Sequence, residues 1–309
     1  MSKRMKVLIG YDGSSYADAA VDDLRRAGLP SETEALVVSV ANAPIIPPLA
    51  SHNVIEKAFV GERVVSIVEH ANKQASQVLQ QANELALNAS GRLKSYFPDW
   101  QARGEALAGT PALELMRKAE EWKAELIVVG SQGRSAIGRL ILGSVSLQVA
   151  SESRCSVRIG RRRAEKSDQM EPRILIGLDG SAGGERAVRK VLMRAWPEGT
   201  ELRILAVDDG DSPITIADVV SISDKHVRED TSITASRMIK LAGARGLIVS
   251  AVIKKGDPQR ALIAEAREWE ADCIVIGSRG FNSTPQGFFA SGVSTGLAAN
   301  AECSIEIVR

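Results

Sequence analysis

The densest candidate chemistry in this chain lies in the stretch GSQGRSAIGRLILGSVS at residues 130–146. Gly130 and Gly133 let the backbone turn tightly and approach a ligand closely. Nine residues later, Gly143 and Ser144 open a helical segment. The N–H groups of a helix start lack intrahelical acceptors and carry positive dipole potential, which suits phosphate oxygens. Ser144 and Ser146 add hydroxyls, and Arg134 or Arg139 adds charge. The run is neither a P-loop, since no Gly-Lys-Ser/Thr follows, nor the GxGxxG dinucleotide fingerprint. Asp12, directly after an apolar run, is a further candidate. Each residue also has a plain structural reading. Asp12 could cap the helix beginning near Ser14, and Gly143-Ser144 could be a helix start only.

Other chemistries find little support. His52, His70 and His226 are scattered and show no metal-ligand spacing with Cys155, Cys273 and Cys303. There is no GxSxG elbow, nucleophile–base pair or Cys/His zinc set. Trp122 and Trp269 read as packing residues. The 39 basic and 38 acidic residues leave a net charge of +1, which gives no reason to expect nucleic acid or an acidic membrane as the main partner. The first residues, MSKRMKVLIGYDG, lack the apolar stretch of about 7–15 residues that a signal peptide needs. No uncharged apolar run approaches the roughly 18 residues of a membrane span. A cytoplasmic protein is the expectation.

The elements that must position the glycine run occur twice. VLIGYDGS at 7–14 returns as ILIGLDGS at 174–181, and EWKAELIVVGSQG at 121–133 returns as EWEADCIVIGSRG at 268–280. CSVRIGR at 155–161 is echoed by CSIEIVR at 303–309. Three matches in one order mean a duplicated domain. The second copy is about 20 residues shorter in its middle, where the first has the Pro-rich loop ANAPIIPPLA and a long helix. The expected division is domain 1 at residues 1–160, a charged, solvated linker at 161–171, and domain 2 at 172–309. In the first copy, MKVLIGY, EALVVSV, Trp100–Leu107, ELIVVG and SVRIG read as strands. Segments 15–27, 54–89, 111–123 and 142–152 read as helices, with Thr110-Pro111 and Asp257-Pro258 as capped starts. Apolar strands without alternation indicate parallel sheets covered on both faces. The fold class is therefore α/β, two tandem doubly wound Rossmann-like domains of five parallel strands, with ligands beyond the strands' carboxyl ends.

Gly-x-x-Gly, nine residues, then Gly-Ser, together with the strand–Asp–Gly–Ser opening and the cysteine-led last strand, resembles the universal stress protein family of nucleotide-binding α/β domains. The resemblance covers nearly all of both halves. It implies that Asp12 and Val40 hold the adenosine end, Val40 through its backbone. It also implies that Gly130, Gly133, Gly143 and Ser144 hold ribose and phosphates. Val40 could equally be core. The resemblance further implies that last strands pair antiparallel between domains or subunits, which places Cys155 and Cys303 too far apart for a disulfide. The second copy departs from the motif: Asp179, Gly277 and Gly280 persist, but eleven residues separate Gly280 from Gly292, with FNSTPQGFFA inserted.

The expected ligand is ATP or another adenine nucleotide, with Mg²⁺ joining through its phosphates and Asp12. The expected role is a nucleotide-dependent regulatory module of the stress response, read by a protein partner. The two repeats would pack as an internal pseudo-dimer, with homodimerisation as a further option. A slow ATPase and a scaffold that has lost nucleotide are the alternatives.

Overall fold

A computed structural model describes residues 4–42, 62–133, 142–162, 171–178, 181–208, 246–278 and 292–309. The Pro-rich loop, Arg134, Arg139, Asp179, Gly280, the inserted FNSTPQGFFA segment, His52 and His226 lie outside the described residues.

The first repeat runs β1 (Met5–Gly10), α1 (Ser15–Asp23), a 3-10 turn (Leu24–Arg26), β2 (Thr33–Ala41), α2 (Glu62–Tyr96) and β3 (Gln101–Ala108). It continues with α3 (Pro111–Trp122), β4 (Leu126–Gly130), α4 (Ser144–Glu152) and β5 (Ser156–Gly160). The described part of the second repeat comprises β6 (Arg173–Leu178), α5 (Ala182–Leu192), β7 (Glu201–Asp208) and β8 (Ile248–Lys255). It ends with α6 (Pro258–Glu268), β9 (Cys273–Gly277), α7 (Gly292–Asn300) and β10 (Ser304–Val308).

These strands form one sheet in the order β3-β2-β1-β4-β5-β10-β9-β6-β7-β8. Within each repeat all pairings are parallel; the seam between repeats is the antiparallel pair β5–β10. The strand order reverses between β1 and β4, which opens a crevice at their carboxyl ends.

The seam explains why the two faces of the sheet differ. Side chains alternate along a strand. Val157 and Ile159 of β5 and Ile305 and Ile307 of β10 therefore share one face, where an apolar core runs without a break through both repeats. Arg158 and Glu306 point to the other face and sit directly opposite each other across the seam. On that face the core is split into separate clusters, one under α1 and α2 and one under α5. The gap is filled by ion pairs: Arg158 with Asp23 at 2.6 Å and with Glu306 at 3.1 Å, and Arg194 with Glu306. Arg158 and Glu306 are both 0% exposed. Burial pushes the Glu306 carboxyl up, but the guanidiniums of Arg194 and Arg158 outweigh it and hold the group at about 2.

Several local expectations need correction. Helix α2 extends past residue 89 to Tyr96, because Ala82, Ala86, Ala89 and Leu93 continue a buried i, i+4, i+7 stripe. Its end is also held electrostatically: Arg92 pairs with Asp18 at 2.7 Å and with Asp22. The sequence Phe97-Pro98 then stops it. Helix α1 ends at Asp23 and passes into the 3-10 turn. Ser14 caps α1, accepting from Ala17 N–H at 3.1 Å, and Asp257 caps α6. Thr110 makes no side-chain cap bond, so Pro111 alone marks that start. Arg161 is no solvated linker residue: its guanidinium donates to carbonyls of Ala298, Ala301 and Cys303.

Candidate functional site

A cleft of about 730 Å³ lies at the carboxyl ends of β2, β1 and β4 in the first repeat. It is lined by the ends of those strands, by the 132–133 and 142–146 segments, and by α2 and α3. Asp12, Val40, Gly130, Gly133, Gly143, Ser144 and Ser146 all line it, so the fold brings these seven candidates to one place. That volume falls within the usual range for small-molecule sites.

Asp12 belongs to a tight turn. Its Oδ1 accepts from Ser14 N–H at 3.0 Å, and Gly13 takes φ +76°, a left-handed value that a Cβ would strain. The carboxylate thus orders the turn, while the cap itself is Ser14. Its other oxygen, Oδ2, faces the second glycine, lying 3.0 Å from where a Cβ on Gly133 would stand. Tyr11 beside it donates to Asp18 at 2.7 Å. Burial and the Asp18 carboxylate push the Tyr11 phenol up to about 12, so it keeps its proton at neutral pH.

The glycines serve close approach, not left-handed turns: neither Gly130 nor Gly133 takes a positive φ. A Cβ on Gly130 would meet the Tyr16 carbonyl at 2.7 Å, so this glycine lets α1 sit on β4. A Cβ on Gly143 would stand 3.2 Å from Gln132 Cα. Gly143 N–H donates to Ser131 O at 2.8 Å, which closes the loop but removes that donor from ligand reach. Ser146 is buried and donates its hydroxyl to Gly130 O at 2.6 Å, tying α4 to β4. The first N–H groups of α4 itself, on Ser144, Val145 and Ser146, begin a helix whose N-cap glycine offers no side-chain acceptor.

Strand geometry fixes where the backbone groups of Val40 point. Val38 O accepts from Tyr11 N–H at 2.9 Å, so the polar groups of Val38 face β1. Ala41 O accepts from Gly109 N–H at 3.0 Å, on the β3 side. Alternation turns the N–H and C=O of Val40 to the side of β1, which has already ended. They point over the cleft.

Sequence reading missed the apolar wall formed by Val78, Ala82 and Leu85 of α2 with Leu115 of α3. Its only signal was the i, i+4, i+7 spacing on α2, which looks the same for ordinary core. Among the described residues, no group of three or more His, Cys, Asp or Glu could hold a metal ion, and the three cysteines form no disulfide. Burial pushes Cys303 up to about 12. No described helix is long and apolar enough to cross a membrane.

A duplicated, doubly wound sheet with this crevice defines a class, and comparison with known proteins gives the family. The universal stress protein family matches residues 3–161 and again 170–309, and the chain belongs to it. A universal stress protein of Mycobacterium tuberculosis is 27% identical over 323 residues, spanning 100% of this chain and 99% of that protein. One from Mycolicibacterium smegmatis is 24% identical over 307 residues, spanning 98% and 96%. The crystal structure of a universal stress protein from Archaeoglobus fulgidus shares the fold over 98% of each chain, with a TM-score of 0.65 and 22% identity.

Proposed function

We propose that the first-repeat cleft binds ATP or a related adenine nucleotide, and that the chain acts as a cytoplasmic nucleotide-dependent regulatory module. The observation that carries this reading is the uncapped start of α4 opening on a cleft whose far wall is apolar. Strands β2, β1 and β4 lie side by side, about 4.8 Å apart. Val40, Asp12 and the α4 start therefore follow one another across the cleft in the order adenine, ribose, phosphate. An adenine edge offers an N–H donor and a ring-nitrogen acceptor, which the C=O and N–H of Val40 complement. Guanine presents an acceptor where adenine has its amino group. The three N–H groups of Ser144, Val145 and Ser146 suit a phosphate chain. Mg²⁺, if carried by the nucleotide, supplies charge neutralisation there, and Asp12 is the carboxylate placed to join it.

Binding rather than turnover is favoured because Asp12 is the sole acidic side chain among the described lining residues, and one of its oxygens already orders the turn. The test is thermal unfolding with Mg-ATP, with Mg-GTP and without nucleotide. Saturation at 100 times the dissociation constant adds about 2.7 kcal/mol. That is a rise of roughly 4 °C for a 309-residue chain that unfolds as one unit. ATP should give the rise, GTP should not, and Gly133→Val, whose branches enter the space beside Asp12, should abolish it. Equal response to both nucleotides, or to neither, sinks the reading.

A further inference from the structure

The two repeats exchange arginines at the ends of their last helices. Arg309, directly after β10, sends Nη2 to the carbonyl oxygens of Ala150 and, at 3.4 Å, Ser151 in the last turn of α4. Arg161, its counterpart after β5, donates likewise to Ala298 in the last turn of α7 and to Ala301 and Cys303 just past it. The backbone repeats the exchange: Arg309 N–H donates to Ser156 Oγ at 3.2 Å, and Arg161 N–H to Ser304 Oγ at 3.0 Å.

Neither helix has a basic residue of its own in its last turn. Helix α4 moreover ends on Glu152, a charge that opposes the helix dipole. The final carbonyls of a helix have no intrahelical donor, and at the end of α4 the guanidinium that serves them, that of Arg309, comes from the other repeat. The opposite end of α4 is the start that faces the cleft. Nine residues, about 13 Å of helix, separate the two.

We infer that Arg309 is a positioning residue for the first-repeat site, supplied by the second repeat. By holding the carboxyl end of α4, it keeps the amino end ordered and electropositive toward an anionic ligand. Linkage makes the effect mutual: a ligand that orders the start of α4 tightens the hold of Arg309 and thereby the seam between the repeats. As a statement about affinity this rests on the nucleotide reading above; as a statement about the order of α4 it does not.

The experiment compares the full chain with Arg309→Gln, Arg309→Lys and Arg161→Gln, using amide hydrogen exchange without ligand and calorimetric titration with Mg-ATP. Arg309→Gln should speed exchange in α4 and weaken Mg-ATP by about fivefold. The lysine variant, which keeps the charge, should recover part of both. Arg161→Gln should speed exchange in α7 and leave ATP affinity within about twofold of the parent. Unchanged exchange in α4, or unchanged affinity in Arg309→Gln when the parent binds ATP, overturns the inference. If the parent fails to bind ATP while α4 exchange still responds to Arg309, the nucleotide reading falls and the positioning role stands. Should Arg309→Gln fail to fold, the lysine variant carries the same two readouts.

Discussion

At the residue scale the most exacting position is Glu306, a carboxylate with no exposed surface held between Arg158 and Arg194. Removing it leaves the buried Arg194 guanidinium without a carboxylate and Arg158 with Asp23 alone. Glu306→Ala should therefore cost about 3–5 kcal/mol, read from the urea midpoint. The pH dependence has a definite sign. The folded-state carboxyl, at about 2, lies below its ordinary 4.5, so its contribution is fully present above pH 4.5 and is lost as pH falls from there toward 2. Glu306→Gln should flatten the fall in stability across that window; an unchanged slope would show that other carboxylates govern acid unfolding. Such a role was not legible in sequence, because CSIEIVR shows a charge in a strand but not the partner it meets. The motif residues were legible as a group, yet their individual tasks were not. Gly130 reads as a ligand-facing glycine and is needed for helix packing, and Ser146 reads as a ligand hydroxyl but donates to Gly130 O.

The element scale separates glycines that matter from one that does not. A Cβ on Gly130 would press on Tyr16 backbone at 2.7 Å, and one on Gly277, its counterpart, on Gly183 at 2.0 Å. Gly130→Ala and Gly277→Ala should each destabilise by about 1–3 kcal/mol, since helix and strand must part to admit the methyl group. Gly91, exposed in the interior of α2, has nothing within 4 Å of its would-be Cβ. Gly91→Ala should stabilise by about 0.5–1 kcal/mol through helix propensity. Chemical denaturation of the three variants decides both claims. Strand positions were readable to within a residue or so, because apolar β-branched runs bounded by polar turns leave little choice. The end of α2 was not, since Arg92 and Tyr96 are polar and their reason to be helical lies in Asp18 and Asp22, some 70 positions earlier.

For the whole molecule, the decisive feature is that one face of the sheet carries a single apolar core across both repeats. Contacts on the other face add to it: Trp196 packs over Gly28, whose φ is +59°, and Ala195 N–H donates to Gly28 O at 3.0 Å. The repeats should accordingly unfold in urea as one cooperative unit in the absence of ligand. Trp196→Ala should lower stability by about 3–5 kcal/mol. Two separated transitions in the parent would show instead that the shared core is too weak to couple the halves. Duplication was plain from the sequence, whereas the shared core was not, because it depends on which edge strands meet.

The meeting of β5 with β10 has a consequence for how this chain can associate. Arg158 and Glu306 occupy the same place in the two repeats and face each other at the centre of the seam. A strand that paired about that same centre with an identical strand would set arginine against arginine, or glutamate against glutamate, in a fully buried position. Only unlike copies can satisfy the charge, so this edge selects its neighbour within the chain and discourages the symmetrical union of two equivalent repeats. Once a duplicated gene has drifted to opposite charges there, neither half can readily return to life as a dimer of itself through that strand.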